Sequence, residues 1–229
     1  MKSVSIACVC FVLSSCQGNT QEKLSLKTNK DSVSYGIGMD IGKTLKMQEI
    51  ECNSALLAQG IKDATDSGKA LIDEQTLLGV MTEFRKNLAR KQMEKTKAMA
   101  EKGKQEGEAF LAANKLKEGV KTTASGLQYK VLKLGTGAKP TATQSVTINY
   151  RGTFINGTEF DNSYKHGEPT TLPLNKFIQG WVEGVQLMSV GSKYQFFIPS
   201  DLAYGPQPRS GGIPPNSTLI FEVELLSIQ

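Results

Sequence analysis

Proline and aromatic residues are distributed unevenly along this chain, and that distribution limits the folds it can adopt. All eight prolines lie at Pro140 or later, and 12 of the 16 aromatic residues lie beyond residue 123. Proline interrupts helices, and aromatic side chains supply much of a small core. The first half can therefore form long uninterrupted helices, while the second half is expected to be a separate, turn-rich domain.

The first residues have the pattern of a targeting segment. Lys2 precedes an apolar stretch from Ile6 to Leu13 that is too short to span a bilayer. The run Leu13-Ser14-Ser15-Cys16 resembles a bacterial lipobox, which implies cleavage before Cys16 and lipid attachment to it. An ordinary signal peptide with an incidental cysteine is the alternative. We predict a lipoprotein signal peptide over residues 1–15 and a lipidated flexible tether over residues 16–30.

A lipid on Cys16 would anchor the protein to a bacterial membrane outside the cytoplasm. Gln17 follows the cysteine where an aspartate could stand, which favours the outer membrane, facing the periplasm. Cys8 and Cys10 would leave with the signal peptide, so Cys52 is expected to remain as a single thiol. The 27 basic and 22 acidic residues are interspersed and give a net charge of only +5. Nucleic acid is therefore not expected as a partner.

Residues 31–122 have the pattern of a helical arm. Asp31 or Ser32 can cap a first helix whose apolar residues recur every four positions from Val33 to Leu45. A second short helix is predicted around residues 55–61. A third is predicted to start after Asp73 and to run to about residue 116, because no proline or turn cluster interrupts it.

The apolar stripe of the third helix thins beyond Leu88. We therefore predict a solvated spacer over residues 89–109, with Gly103 and Gly107 as its preferred point of bending. The upstream helices are short and carry few large apolar residues, so one copy would be marginally stable. We predict a homodimer through residues 31 to about 88.

From Thr123 the apolar residues alternate with a period of two, as in β-strands. Four such runs begin at Leu127, Val146, Tyr194 and Leu219, and the pair Asn156-Gly157 predicts a two-residue hairpin turn. One helical stretch over about 176–188 interrupts them. The fold class is therefore α+β: an antiparallel half-barrel sheet wrapped on one short helix over residues 123–229, preceded by the all-α arm.

Residues typical of covalent or metal-assisted catalysis are scarce in this sequence. His166 is the only histidine and is interpreted as a solvated loop residue. No catalytic triad, metal site or phosphate-binding loop is recognisable, so no metal and no cofactor are expected. The aromatic residues of the second half are consistent either with core filling or with a concave binding pocket.

Six ordered stretches of the second half resemble the signature of FKBP-type peptidyl-prolyl cis/trans isomerases. They are VTINYRG at 146–152, GTEFDNS at 157–163, FIQGWVEGV at 177–185, MSVG at 188–191, LAYG at 202–205 and IPPNSTLIFEVEL at 213–225. The run SYGIG at 34–38 and the long charged helix resemble the dimerising arm of the macrophage infectivity potentiator branch. This resemblance implies an isomerase of X-Pro bonds that acts in extracytoplasmic protein folding.

The resemblance also implies the site. Trp181 would floor the pocket, and the remaining substrate-binding residues would be Tyr150, Phe160, Asp161, Phe177, Ile178, Tyr204, Ile213 and Phe221. Asp161, Tyr204, Tyr150 and Phe221 would be the catalytic residues. Thr170 and Leu172 stand where the best-known small members have aromatic residues, so one wall is less aromatic.

The implied partners are proline-containing unfolded or nascent chains, a second copy of the protein, the membrane and a macrolide inhibitor. Rotation about an X-Pro bond breaks no bond to carbon or nitrogen, so an apolar pocket that favours the twisted amide would suffice. Chaperone activity is expected to accompany isomerisation. A non-catalytic holding chaperone or adhesion module on the same fold, and a small-molecule carrier, remain alternatives.

Overall fold

The computed structural model describes residues 25–66, 70–209 and 212–229. The chain divides into two compact units, residues 1–73 and residues 74–229. The predicted signal peptide, Cys16 and most of the predicted tether lie outside the described residues. Across the described ranges, no helix combines the length and the apolar character needed to cross a membrane.

The first unit contains helix α1 (Asn29–Met47) and helix α2 (Ser54–Thr65). The prediction that Asp31 or Ser32 caps α1 is wrong, because the helix begins at Asn29 and Thr28 is its N-cap. The Thr28 hydroxyl accepts a bond from the Asp31 N–H at 3.2 Å, and the Asp31 carboxylate accepts one from the Thr28 N–H at 2.8 Å. These reciprocal bonds form a capping box and lower the pKa of Asp31.

The apolar side chains of α1 and α2 are not covered within one copy of the chain. Neither helix contains a buried residue. Val33, Ile37 and Leu56 are each more than half exposed. An N-cap residue fixes the start of each helix. Thr28 caps α1, and the Asn53 side chain accepts hydrogen bonds from two N–H groups in the first turn of α2.

The second unit begins with helix α3 (Glu74–Asn114), whose 41 residues correspond to a length of roughly 60 Å. The prediction of one long helix after Asp73 is confirmed. The prediction of a solvated spacer over residues 89–109 is wrong near its C-terminal end, because Gly107 is buried. Asn114, beyond that range, is buried as well. Asn114 donates to the Gln128 side chain at 3.0 Å, and Gln128 donates to the Leu111 carbonyl at 2.9 Å.

Within the described residues, seven strands form one antiparallel sheet. They are β1 (Val120–Thr122), β2 (Gln128–Lys133), β3 (Ser145–Phe154), β4 (Glu159–Asn162), β5 (Thr170–Pro173), β6 (Lys193–Ile198) and β7 (Leu219–Ile228). The order is β1-β2-β6-β7-β3-β4, with β5 also paired to β3. The four predicted strand runs are confirmed, and the mixed helix and antiparallel sheet fold agrees with the prediction.

The hairpin between β3 and β4 differs in detail from the prediction. The Gly157 N–H donates to the Phe154 carbonyl at 2.9 Å, so Ile155 and Asn156 are the central turn residues. Gly157 follows them with φ +86°, the left-handed conformation that glycine adopts at low cost. The loop is therefore longer by one residue than a two-residue hairpin, because Gly157 forms the bulge.

Helix α5 (Gln179–Gln186) packs its buried face on the sheet. Gly180 and Gly184 face strand β6, where a Cβ on Gly184 would lie 2.6 Å from the Phe196 ring and one on Gly180 would collide with Ile198. These two glycines therefore allow the helix and the sheet to approach closely. The completely buried core residues are Leu127, Val146, Ile148, Leu174, Val185, Met188, Phe196, Ile198, Leu219, Val223 and Leu225.

Candidate functional site

Trp181, on helix α5, forms the floor of an aromatic cavity. Its side chain is only 3% exposed. The Phe177 ring stacks on it at 4.9 Å between centroids, and the rings of Tyr150 and Phe221 meet it edge-on at 5.2 and 5.1 Å. The chain brings these rings together because Trp181 of α5 packs against Tyr150 and Phe221, which lie on the paired strands β3 and β7. The result is a concave surface in which three aromatic rings surround one indole, with polar and charged side chains such as Asp161 and Arg209 at its walls.

Gly152 on β3 makes the aromatic packing behind this surface possible. Phe160 meets Phe221 edge-on at 5.5 Å. A Cβ on Gly152 would lie 2.7 Å from the Phe160 ring and 2.8 Å from the Phe221 ring. A side chain at position 152 would therefore displace one of the two rings. Composition and periodicity gave no signal for this residue, since the close approach arises from strand pairing and not from local sequence.

The cavity over Trp181 has a volume of about 410 Å³. Seven of the nine sequence-predicted substrate-binding residues line it: Tyr150, Asp161, Phe177, Ile178, Trp181, Tyr204 and Phe221. Phe160 lies behind Phe221, and Ile213 is buried in the core with 7% exposure. Four further lining residues were not predicted, namely Lys176, Gln179, Ala203 and Arg209.

A hydrogen bond joins two of the predicted polar residues. The Tyr150 hydroxyl donates to the Asp161 carboxylate at 2.8 Å, and the other carboxylate oxygen accepts the Asn162 N–H at 2.8 Å. Burial raises the pKa of Tyr150 far above its usual range, and the bond to Asp161 raises it further. Tyr150 is therefore a neutral donor whose hydroxyl is already committed to Asp161.

Tyr204 presents a second phenol to the cavity. Burial raises its pKa, the positive charge of Arg209 opposes that shift, and the charge of Asp161 adds to it. The Arg209 guanidinium lies 5.2 Å from the Tyr204 ring centroid, within range of a cation–π contact. Tyr204 is thus protonated at neutral pH and can donate a hydrogen bond into the cavity.

The start of helix α5 supplies a backbone donor at the cavity wall. Ile178 is the N-cap of α5, and no side chain caps this end of the helix. Within the described part of the chain, the Ile178 N–H donates to no protein acceptor. An N–H at the start of a helix is a suitable partner for a ligand carbonyl.

His166 lies closer to this site than the sequence suggested. It is exposed as predicted, but it is the last residue of the short helix α4 (Ser163–His166) instead of a loop residue. Its Nε2 lies 3.5 Å from the Asp161 carboxylate. Within residues 25–66, 70–209 and 212–229, no three His, Cys, Asp or Glu side chains group closely enough to hold a metal ion.

Comparison with known proteins places this geometry in a family. Residues 136–226 match the model of the FKBP-type peptidyl-prolyl cis-trans isomerase domain, and residues 30–131 match that of the domain amino-terminal to it. The chain is 42% identical to the outer membrane protein MIP of Legionella longbeachae, over 100% of this chain and 98% of that protein. It is 41% identical to the peptidyl-prolyl cis-trans isomerase Mip of Coxiella burnetii, over 89% of each.

A solved structure supports the same assignment. The crystal structure of FkpA from Escherichia coli matches 90% of this chain and 99% of that one, with a TM-score of 0.69 and 34% identity. With its antiparallel sheet, helix α5 packed on that sheet and its aromatic cavity, the second unit has the fold of a prolyl isomerase. The chain belongs to the FKBP-type peptidyl-prolyl cis-trans isomerase family, and within that family it is Mip-like.

Proposed function

We propose that the cavity over Trp181 is the site where this isomerase accelerates rotation about X-Pro bonds. The observation that carries the proposal is the arrangement of Phe177, Tyr150 and Phe221 around one indole. A planar X-Pro amide is more dipolar than a twisted one, so contact with the aromatic floor of the cavity would disfavour the ground state relative to the transition state. The prolyl ring would rest on Trp181 in this arrangement.

Two donors are available to hold the twisted geometry. The Tyr204 hydroxyl and the Ile178 N–H would each donate to a carbonyl of the substrate peptide. A tyrosine hydroxyl is protonated at neutral pH, and burial raises the pKa of Tyr204 further above that range. Both groups are fixed before the substrate arrives, so they stabilise the transition state with little reorganisation.

Asp161 would act through its charge and not as a general base. Its carboxylate already accepts bonds from Tyr150 and from the Asn162 N–H. It would therefore orient the Tyr150 ring and place negative charge near the rotating carbonyl carbon. No proton needs to move in this rotation, so a base has no step to catalyse.

Tyr204→Phe, measured in a coupled cis-to-trans assay on a proline tetrapeptide, tests the donor role. We expect kcat/KM to fall about three- to tenfold, the value of one hydrogen bond. Tyr164→Phe is the matched control, because that phenol is exposed and bonds Glu224 outside the cavity. Equal activity in the two variants would refute the role of Tyr204.

Asp161→Asn in the same assay separates the two roles of the carboxylate. If the carboxylate acts only by orienting Tyr150 and through its charge, we expect kcat/KM to fall by about tenfold or less. A loss of more than about a hundredfold would contradict this modest orienting and electrostatic role.

For the first unit, we propose that α1 and α2 mediate a homodimer. Ile41 and Leu45 of α1 and Leu57 and Ile61 of α2 line an open groove. A second copy would cover these side chains and remove them from water. Two pockets in one dimer could bind two segments of an unfolded client, which gives a physical basis for chaperone activity.

Sedimentation of the full mature chain tests the dimer. Val33→Asp and Ile37→Asp place charges on the exposed α1 stripe and are expected to yield monomers. Leu134→Asp is the control, because Leu134 is 77% exposed on the second unit. A dimer that survives both α1 substitutions would refute the proposal.

For location, we propose that this protein is a lipoprotein of the bacterial envelope, attached through Cys16 and facing the periplasm. The lipobox-like run before Cys16 supports it, as does the name of the Legionella longbeachae relative, an outer membrane protein. Mass spectrometry of the mature N-terminus should detect acylated Cys16, and loss of the lipid in Cys16→Ser should release the protein from membranes. Macrolide binding in the same cavity is also proposed, and competition with a proline peptide tests it.

A further inference from the structure

The C-terminal part of helix α3 packs against the loop that follows Ile213. A Cβ on Gly103 would lie 2.6 Å from the Pro215 carbonyl oxygen, and one on Gly107 would collide with the Thr218 hydroxyl. Gly79, near the start of the same helix, has nothing within 4 Å of its Cβ position. The two glycines are therefore a contact surface for this loop, and the helix is continuous through both of them.

Asn216 connects this contact to the candidate site. Its side-chain amide donates to the Ala100 carbonyl of α3 at 3.1 Å. Its backbone N–H donates to the Gly205 carbonyl at 2.8 Å. Gly205 directly follows Tyr204, and Asn216 lies three residues after Ile213. One residue thus joins the long helix to the turn that carries Tyr204 and to the loop that carries Ile213.

The backbone of Asn216 explains only part of this arrangement. Its φ is +55°, in the left-handed region that asparagine and glycine tolerate best. A turn requirement alone would be met equally well by glycine. The bond from the side chain to Ala100 is a separate contribution, and it joins positions 116 residues apart in sequence.

We propose that Asn216 is a positioning residue of the isomerase, which uses docking on α3 to hold the Tyr204 turn in its productive geometry. This inference rests on the proposed donor role of Tyr204. The long helix is then part of the enzyme's active structure, since its Ala100 carbonyl anchors the loop behind the site. Donors placed about 1 Å from their best position lose much of their effect on the transition state.

The test uses the full chain and two substitutions of the same residue. Asn216→Gly keeps the left-handed backbone but removes the amide. Asn216→Asp keeps the size of the side chain but replaces the donor with an acceptor that faces the Ala100 carbonyl. We expect either change to lower kcat/KM for a proline tetrapeptide about fivefold, at temperatures well below unfolding.

A double-mutant cycle with Tyr204→Phe distinguishes positioning from general structural support. If Asn216 acts through the Tyr204 hydroxyl, Asn216→Gly should cause no further loss in the Tyr204→Phe background. The same fivefold loss in both backgrounds would overturn the inference, as would wild-type activity in Asn216→Gly and Asn216→Asp. If Tyr204→Phe alone has full activity, the proposed donor role fails, which is a separate result.

Gly103→Ala tests whether the effect comes from α3, because its Cβ would lie 2.6 Å from the Pro215 backbone carbonyl oxygen, which cannot rotate aside. Moving the helix away from Pro215 should weaken the bond to Ala100 and lower kcat/KM to the level of Asn216→Gly, and the two changes together should cost no more than either alone. Gly79→Ala is the matched control and should leave kcat/KM unchanged. Additive losses from Gly103→Ala and Asn216→Gly, or no loss from Gly103→Ala, would overturn the link to the helix.

Discussion

The two short helices α1 and α2 differ sharply from the sheet domain, which comprises strands β1–β7 and helix α5, in how far they bury their apolar side chains. Neither α1 nor α2 contains a buried residue, and Tyr35 of α1 is 60% exposed. In the sheet domain, Phe196 and Ile198 are completely buried. Both regions contain regular apolar patterns, so the pattern alone does not indicate whether a segment completes its own core. The sheet domain completes its core within one chain, whereas the apolar side chains of α1 and α2 stay largely exposed in one copy.

The largest contrast is expected from truncating an aromatic residue in each region. Phe196→Ala removes a ring packed against α5 and Tyr194, and it should lower the free energy of unfolding by about 3–5 kcal/mol. Tyr35→Ala should change it by no more than about 0.5 kcal/mol in dilute, monomeric protein. Chemical denaturation at two protein concentrations measures both. A large cost of Tyr35→Ala that is independent of concentration would contradict the comparison.

A smaller contrast is expected from adding one methyl group to a helical glycine. Gly184→Ala places a Cβ against the Phe196 ring and should destabilise the sheet domain by about 1–3 kcal/mol. Gly38→Ala meets nothing within 4 Å in one copy, so it should stabilise α1 by up to about 1 kcal/mol. Thermal unfolding measures both changes. Destabilisation by Gly38→Ala that grows with protein concentration would place Gly38 at a contact between copies and sharpen the comparison.

The smallest expected effect is on the stability of the protein at acidic pH. Hydrogen bonds to the Lys165 ammonium and, with a smaller effect, to the Arg151 guanidinium lower the pKa of Glu159 from 4.5 to about 2. A carboxylate with a lowered folded-state pKa stabilises the fold above its unfolded pKa, and this contribution is lost as the pH falls from about 4.5 towards 2. Glu159→Gln should therefore flatten the decline of the thermal midpoint over that range. An unchanged slope would show that Glu159 contributes nothing to acid sensitivity.

Strands β3, β6 and β7 were predictable because one face of each carries buried residues, whereas β1, β4 and β5 are short, contain no buried residue and were not among the predicted strand runs. Strand β7 alternates fully buried residues such as Leu219 and Val223 with half-buried ones, which is the pattern read from the sequence. The α1 cap was also encoded locally, because Thr28 and Asp31 have the spacing of a capping box. That signal was present and was assigned to the wrong residue.

The pocket was not predictable from composition, which was equally consistent with core filling. Aromatic residues of this half serve both purposes: Phe196 fills the core, and Phe177 lines the binding cavity. The ordered motifs of the family identified seven of the lining residues, but not the role of Lys176, Gln179, Ala203 or Arg209. The roles of Gly103, Gly107 and Gly152 depend on contacts far apart in sequence, and local propensity carries no information about such contacts.

Replacing the floor of the pocket tests the central claim most directly. Trp181→Leu keeps an apolar side chain but removes the surface on which the prolyl ring is proposed to rest. The account predicts that kcat/KM for a proline tetrapeptide falls at least about tenfold. Tyr129→Leu, which alters a half-buried ring stacked on Tyr194 outside the cavity, should stay within about twofold of wild type. Equal activity of folded Trp181→Leu and wild type would contradict the account.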